Sequence, residues 1–195
     1  MGNALRKSNI SEQAYLADEP LAPYKSEFVD GQVYAMAGAS ARHNRISGNL
    51  YIKLDAAIRG SRCEVFIADM KVKVESHRAF YYPDVMLSCP QPGDDHPLYR
   101  CSPCLIAEIL SPSTAKIDER EKWLHYRDIP SLRYYLLIDS ESRYARILSR
   151  DAEGWLEQTL DEEEVCSLEC DGINARFCLD DLYDRTGLRR EVKDS

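Results

Sequence analysis

The run Leu105-Ile-Ala-Glu-Ile-Leu110 constrains this chain more than any other stretch. Nearly continuous apolar side chains suit a strand covered on both faces, such as the central strand of a sheet packed between layers. An ionised carboxylate in that setting loses much of its hydration unless a cation or hydrogen-bond donors meet it. The run therefore predicts a covered central strand and a charged partner for Glu108.

Other elements arrange themselves around it. Residues 11–19 read as a short amphipathic helix opened by a Ser cap, and Glu27 to Met36 as two strands around Asp30-Gly31, which suits a type I′ turn. Ile46, Leu50, Leu54, Ala57 and Ile58 recur at helical spacing between Ser40 and Gly60. Cys63 to Val74 and Ala79 to Leu87 read as strands, and Ser113 or Thr114 caps a helix reaching about Arg127. Leu132 to Asp139 and Arg143 to Leu148 return as strands, followed by short strands over 154–177 and a helical turn at Leu179 to Tyr183. The order predicts an α/β fold with one mixed sheet flanked by two principal helices. With 195 residues and 44% hydrophobic content, the chain fills one core, so a single domain over 1–195 is expected.

The N-terminus lacks the apolar stretch of a secretory signal and no apolar run approaches the ~18 residues of a membrane span. A cytoplasmic protein with no membrane partner is the expectation. Seven cysteines then read as thiols, and the Pro- and Gly-rich segment from Cys89 to Cys104 as a surface loop. Cys89, His96, Cys101 and Cys104 offer an alternative, a structural zinc site. A net charge of −8 opposes nucleic-acid binding by bulk electrostatics, although basic residues gather at Arg42 to Arg62 and Arg120 to Arg133.

Asp84 follows a proline in Tyr81-Tyr-Pro-Asp-Val-Met-Leu87. Two carboxylates on neighbouring strands repel unless a divalent ion lies between them, and oxygen-only ligation suits Mg²⁺ or Mn²⁺. Against this stand plainer readings: a strand Glu paired with Arg, and Pro-Asp as a turn. Lys122, one helical turn beyond Asp118, can reach back over the end of the Glu108 strand; its alternative is a surface ion pair with Asp118. Ser111-Pro-Ser-Thr114 reads as helix capping, since no base accompanies it.

Tyr82-Pro-Asp-Val85, Glu108-Ile-Leu-Ser-Pro-Ser-Thr114, Asp118 to Lys122, Tyr126, Ile129-Pro-Ser-Leu132 and Tyr135-Leu-Leu-Ile-Asp139 follow one another in this chain. Phe28-Val-Asp-Gly-Gln-Val33, Met36-Ala-Gly38, His43-Asn44 and Phe66-Ile-Ala-Asp69 precede them. Together, over about residues 12–183, they resemble the Uma2 family, or DUF820, of the PD-(D/E)XK superfamily. The resemblance implies a restriction-endonuclease-like core with a metal site at a split in the sheet, an N-terminal hairpin and additional C-terminal strands. It assigns Asp84 and Glu108 to the metal, Mg²⁺ with Mn²⁺ as a substitute. Leu110 stands where the superfamily's lysine is expected, and the resemblance moves that role to Lys122. Glu27 matches an acid of the first hairpin that adds a ligand or orients water; His43 and Asp69 match positions of open role. The implied function is an endonuclease acting on nucleic acid, DNA first, with a homodimer as a route to cutting both strands. The rival reading is a nucleic-acid-binding or regulatory protein on the same fold that does not cleave.

Overall fold

The computed structural model describes residues 4–5, 9–36, 38–92, 94, 96–111, 117–162 and 164–190. Strand β1 is Ala4–Leu5, and helix α1, Glu12–Asp18, starts where the Ser11 hydroxyl accepts the Ala14 N–H at 3.1 Å. Strands β2, Ser26–Val29, and β3, Gln32–Ala35, form the expected hairpin. Asp30 (φ 42°) and Gly31 (φ 85°) both take the left-handed backbone that a type I′ turn demands. Helix α2, Ala41–Ala57, is capped by Ser40 and buries Ile46, Leu50 and Leu54.

The next two predicted strands are each broken in two. Residues 63–74 give β4, Glu64–Ile67, and β5, Lys71–Val74; residues 79–87 give β6, Ala79–Tyr81, and β7, Val85–Ser88. Alternation runs through both segments, but the chain changes sheets in the middle of each. One break carries Ala68 at φ 59°; the other contains Pro83, which has no N–H to continue a ladder. The two corners meet, the Ala68 N–H donating to the Asp84 carbonyl at 3.1 Å.

Strand β8 is Tyr99–Arg100 and β9 is Pro103–Leu110, every residue of which is buried. Ile117–Lys122 forms a π-helical turn that runs into α3, Trp123–Tyr126. The predicted start of this helix, at Ser113 or Thr114, lies outside the described residues. Then come β10 (Tyr134–Asp139), β11 (Ala145–Arg150), β12 (Trp155–Thr159), β13 (Cys166–Cys170), β14 (Ile173–Phe177) and α4 (Leu179–Tyr183).

The strands form two six-stranded sheets and a hairpin where one mixed sheet was expected. The first sheet runs β1-β3-β2-β6-β5-β8, the second β12-β11-β10-β9-β7-β4, and β13 pairs with β14. The second sheet is mixed, since β10 lies parallel to β9 and antiparallel to β11. Its central strand β9 sends Leu105, Ala107 and Ile109 into a core shared with α2, α4 and the β13–β14 hairpin. Ile106 and Leu110 enter a second core with Val72, Val74 and Tyr81 of the first sheet and Tyr126 of α3. The result is a mixed α/β fold with the predicted N-terminal hairpin and C-terminal strands. Among the described residues, no helix is long and apolar enough to cross a membrane.

The cysteine expectation is corrected. Cys63 is disulfide-bonded to Cys89 and Cys104 to Cys170, while Cys101, Cys166 and Cys178 are free. The register Glu64↔Ser88 carried one step further brings Cys63 opposite Cys89, a pairing that a sequence separation of 26 conceals. The zinc set of Cys89, His96, Cys101 and Cys104 is thereby divided, and His96 instead stacks on Tyr99. Among the described residues of this segment, Gln91, Pro92 and Pro97 are exposed while Cys89, Asp94, Arg100, Pro103 and Cys104 are buried, so the expected surface loop is packed against the body in part. Buried Asp94 accepts the Cys101 N–H at 2.6 Å, and Arg100 reaches Glu64 at 3.0 Å across the Phe66 ring.

Candidate active site

The corners at Ala68 and Asp84 form a seam between the two sheets, and charged residues concentrate there. Glu108, 2% exposed, lies on β9; its neighbours are apolar, so its carboxylate must find partners through the tertiary fold. The Tyr126 hydroxyl donates to Glu108 Oε1 at 3.0 Å, and Lys122 Nζ lies 3.3 Å from the same oxygen. Burial and Glu108 push the Tyr126 phenol well above its ordinary value, so it remains a donor.

Lys122 is buried, contrary to the surface ion pair entertained above, and the side chain of Asp118 lies outside the described residues. Its ammonium also contacts Glu27 Oε1 at 3.0 Å and lies over the Tyr81 ring at 5.7 Å. Glu27 reaches the seam from β2 and accepts the Tyr82 N–H at 3.1 Å, so the first sheet supplies an acid to a site built mainly on the second. Lys122 thus bridges two carboxylates from different sheets.

Asp84 precedes β7. Extending the register Val85↔Ala107 by one places it opposite Glu108. Its Oδ2 accepts the Ile109 N–H at 2.7 Å and its Oδ1 faces His43 Nε2 at 2.9 Å. The two carboxylates therefore adjoin on the chain lattice but face different partners, Glu108 toward α3 and Asp84 toward α2. Among the described residues, one trio of Cys, Asp, Glu or His groups has its donor atoms all within 4.8 Å, Cys63, Cys89 and Asp171, and its two sulfurs are already joined in a disulfide. The donor chemistry itself fits a hard divalent cation: carboxylate oxygens of Glu27, Asp84 and Glu108, with a cationic group already drawn between two of them.

A second buried pair supports the seam from behind. Lys71 Nζ lies 2.7 Å from Glu19 Oε2, the Tyr82 hydroxyl donates to Glu19 Oε1 at 2.7 Å, and the Lys71 ammonium covers the Tyr82 ring at 4.8 Å. Burial and this hydrogen bond raise the Tyr82 phenol far above its ordinary value. Glu19 was placed only in the first helix, and Lys71-Val-Lys-Val alternates as a half-exposed strand does, so neither residue announces its burial. Asp69, of open role, forms an exposed ion pair with Lys25. His43, also of open role, proves to touch Asp84.

Residues 13–177 match the Uma2 family, described as "putative restriction endonuclease". The uncharacterized protein sll1609 of Synechocystis sp. is 42% identical over 132 residues, 67% of this chain and 75% of that protein. A second Synechocystis protein, slr1290, also uncharacterized, is 32% identical over 175 residues, 89% of this chain and 91% of its own length. The fold matches the crystal structure of a "putative nuclease belonging to DUF820" from Anabaena variabilis. The TM-score is 0.70, with 14% identity over 91% of this chain and 99% of that one. Identity that low speaks for the fold alone, whereas the match over residues 13–177 settles the family: this chain belongs to the Uma2 family of restriction-endonuclease-like proteins.

Proposed function

We propose that the chain is a divalent-metal-dependent endonuclease that hydrolyses phosphodiester bonds, with DNA as its first substrate. The observation that carries the reading is the buried Lys122 ammonium between Glu27 Oε1 at 3.0 Å and Glu108 Oε1 at 3.3 Å. Charges this deep cost desolvation that pairing repays only in part, and a reaction that needs them would account for their being kept. Asp84 and Glu108 would hold Mg²⁺ or Mn²⁺, with Glu27 as a further acid. A bound ion would supply Lewis-acid polarisation of the scissile phosphate and a water of lowered pKa. Lys122, held as a donor by two carboxylates, positions the attacking water and meets charge that develops on the phosphoryl oxygens. Water adds at phosphorus, the bridging P–O bond breaks, and the products are a phosphate monoester and a free hydroxyl.

Binding a polyanion with a net charge of −8 calls for local positive charge. A cavity of about 510 Å³ at the start of α2 is lined by Arg42, Arg45 and Arg185 together with Glu141. Arg42 spends one terminal nitrogen on Glu141 at 2.8 Å, while its buried Nε has no hydrogen-bond partner among the described residues. A homodimer, which would present two sites to a duplex, belongs to the same reading.

The test is an assay on single- and double-stranded DNA and RNA with Mg²⁺ or Mn²⁺, comparing the wild type with Asp84→Asn, Glu108→Gln and Lys122→Ala. Cleavage abolished by all three supports the reading. Retention of DNA without cleavage by the wild type would replace it with that of a binding protein on the same fold.

A further inference from the structure

His43 is the one imidazole in contact with the proposed metal-binding acids among the described residues, and its backbone is hydrogen-bonded at both N–H and carbonyl. It stands in the first turn of the seventeen-residue helix α2. Its N–H donates to the Ser40 hydroxyl at 3.1 Å and its carbonyl accepts from the Ser47 hydroxyl at 3.0 Å. The helix is fixed by Ile46, Leu50 and Leu54 in the core. The ring does no capping, since that task falls to Ser40. It is turned instead toward Asp84, with Nε2 2.9 Å from Oδ1 and both side chains mostly buried, at 15% and 19% exposure.

That separation suits two arrangements. In one, Nε2–H donates to the carboxylate. In the other, Nε2 and Oδ1 are adjacent ligands of one ion: donors about 2.1 Å from an octahedral centre and at right angles lie about 3.0 Å apart. The second needs no movement of helix or strand. Nor does it change the charge of a neutral ring, because the proton leaves Nε2 for Nδ1 by tautomeric exchange. Asp84 is already oriented for either arrangement by the Ile109 N–H at 2.7 Å.

We propose that His43 is a nitrogen ligand of the catalytic ion, so that the site is a carboxylate-imidazole centre that selects Mn²⁺ over Mg²⁺. The proposal rests on the nuclease reading of Asp84 and adds a residue and a metal preference to it. Imidazole binds transition ions better than it binds Mg²⁺, which takes oxygen donors almost exclusively. A ring fixed on a long helix also sets the ligand direction more firmly than a loop residue would.

The experiment is pulsed EPR of the full chain loaded with Mn²⁺, together with calorimetric titration of Mn²⁺ and Mg²⁺, on wild type, His43→Gln, His43→Ala and Asp84→Asn. The wild type should display modulation from a directly bonded nitrogen and bind Mn²⁺ at least tenfold more tightly than Mg²⁺. His43→Gln, which can still hydrogen-bond to Asp84, should lose the nitrogen signal and most of the Mn²⁺ preference while Mg²⁺ affinity changes less than threefold. His43→Ala should do the same, and agreement between the two variants separates ligation from a folding defect. Mn²⁺ that binds through Asp84 without a bonded nitrogen, and with unchanged affinity in His43→Gln, overturns the ligand proposal alone. Mn²⁺ that fails to bind, or binds equally to Asp84→Asn, overturns the nuclease site and this proposal with it.

Discussion

Two ionic networks in this protein lie in different surroundings, one pairing lysines with glutamates and one pairing arginines with Asp180 and Glu162. At the seam, Glu19, Lys71, Glu108 and Lys122 are each no more than 8% exposed. Near the C-terminus, Arg143 and Arg190 share Asp180 and Glu162, with the Asp180 and Arg190 side chains about half exposed, at 48% and 49%. The Asp180 and Arg190 side chains face solvent, so their pair is screened by salt and contributes little to folding, while Arg143 beside them is covered at 8% exposure. The inner one has surrendered its hydration and survives only because every charge has a partner. Charge near water says little about function, whereas charge under two sheets calls for an account, and the proposed hydrolytic site is one.

The largest test of that contrast is Lys122→Ala. It removes the cation shared by the Glu27 and Glu108 carboxylates, and removing one partner of a buried pair costs roughly 3–5 kcal/mol. Thermal denaturation in EDTA should therefore register a severe loss, and added Mn²⁺ should recover part of it by replacing the missing cation. A silent substitution would mean that the seam is hydrated and that the contrast fails. Tyr126→Phe comes next: losing a hydrogen bond to a charged acceptor should cost about 1.5–3 kcal/mol in urea denaturation, with the ring packing retained. Asp180→Asn should cost under about 1 kcal/mol, and the loss should vanish in molar salt. A larger, salt-resistant loss would put the outer network in the same class as the inner one.

The smallest effect concerns pH. Burial, then the stacked His77 ring at 3.9 Å, lowers the His125 pKa, and the Tyr81 hydroxyl lies 2.7 Å from its Nδ1. Above the ordinary imidazole value both folded and unfolded chains leave this ring neutral. Below it the unfolded chain takes up a proton that the folded chain resists, so stability falls with acidification from that value down to the lowered one. Urea midpoints at about pH 7.5 and about pH 5.5 should therefore differ less for His125→Gln than for the wild type. An unchanged difference would remove His125 from the acid response.

The fold was legible where backbone chemistry is local. Asp30-Gly31 demanded two left-handed residues and obtained them, and Ser11 capped the helix it precedes. The sheet changes at Ala68 and Asp84 were not legible, because the alternation of 63–74 and 79–87 continues through each corner and only Pro83 hinted at a break. For the site, a carboxylate inside Leu105-Ile-Ala-Glu-Ile-Leu110 had to be partnered, which made Glu108 readable without a structure. Its partners were less so. Lys122 reads as a helix-surface residue until the helix is packed, Glu27 arrives from another sheet, and Lys71 alternates with Lys73 although the two differ in burial. Disulfide partners separated by 26 and 66 residues depend wholly on such long-range geometry.

The central claim is that the seam acids hydrolyse phosphodiesters while outer acids do not. Single-turnover cleavage of double-stranded DNA with Mn²⁺, measured for wild type, Asp84→Asn, Glu108→Gln and the surface control Asp69→Asn, tests it most directly. The account predicts cleavage by the wild type and Asp69→Asn and loss of at least a hundredfold in the other two, in keeping with metal-ion and electrostatic contributions of roughly that size. Equal cleavage by wild type and Asp84→Asn, or none by the wild type, would contradict it.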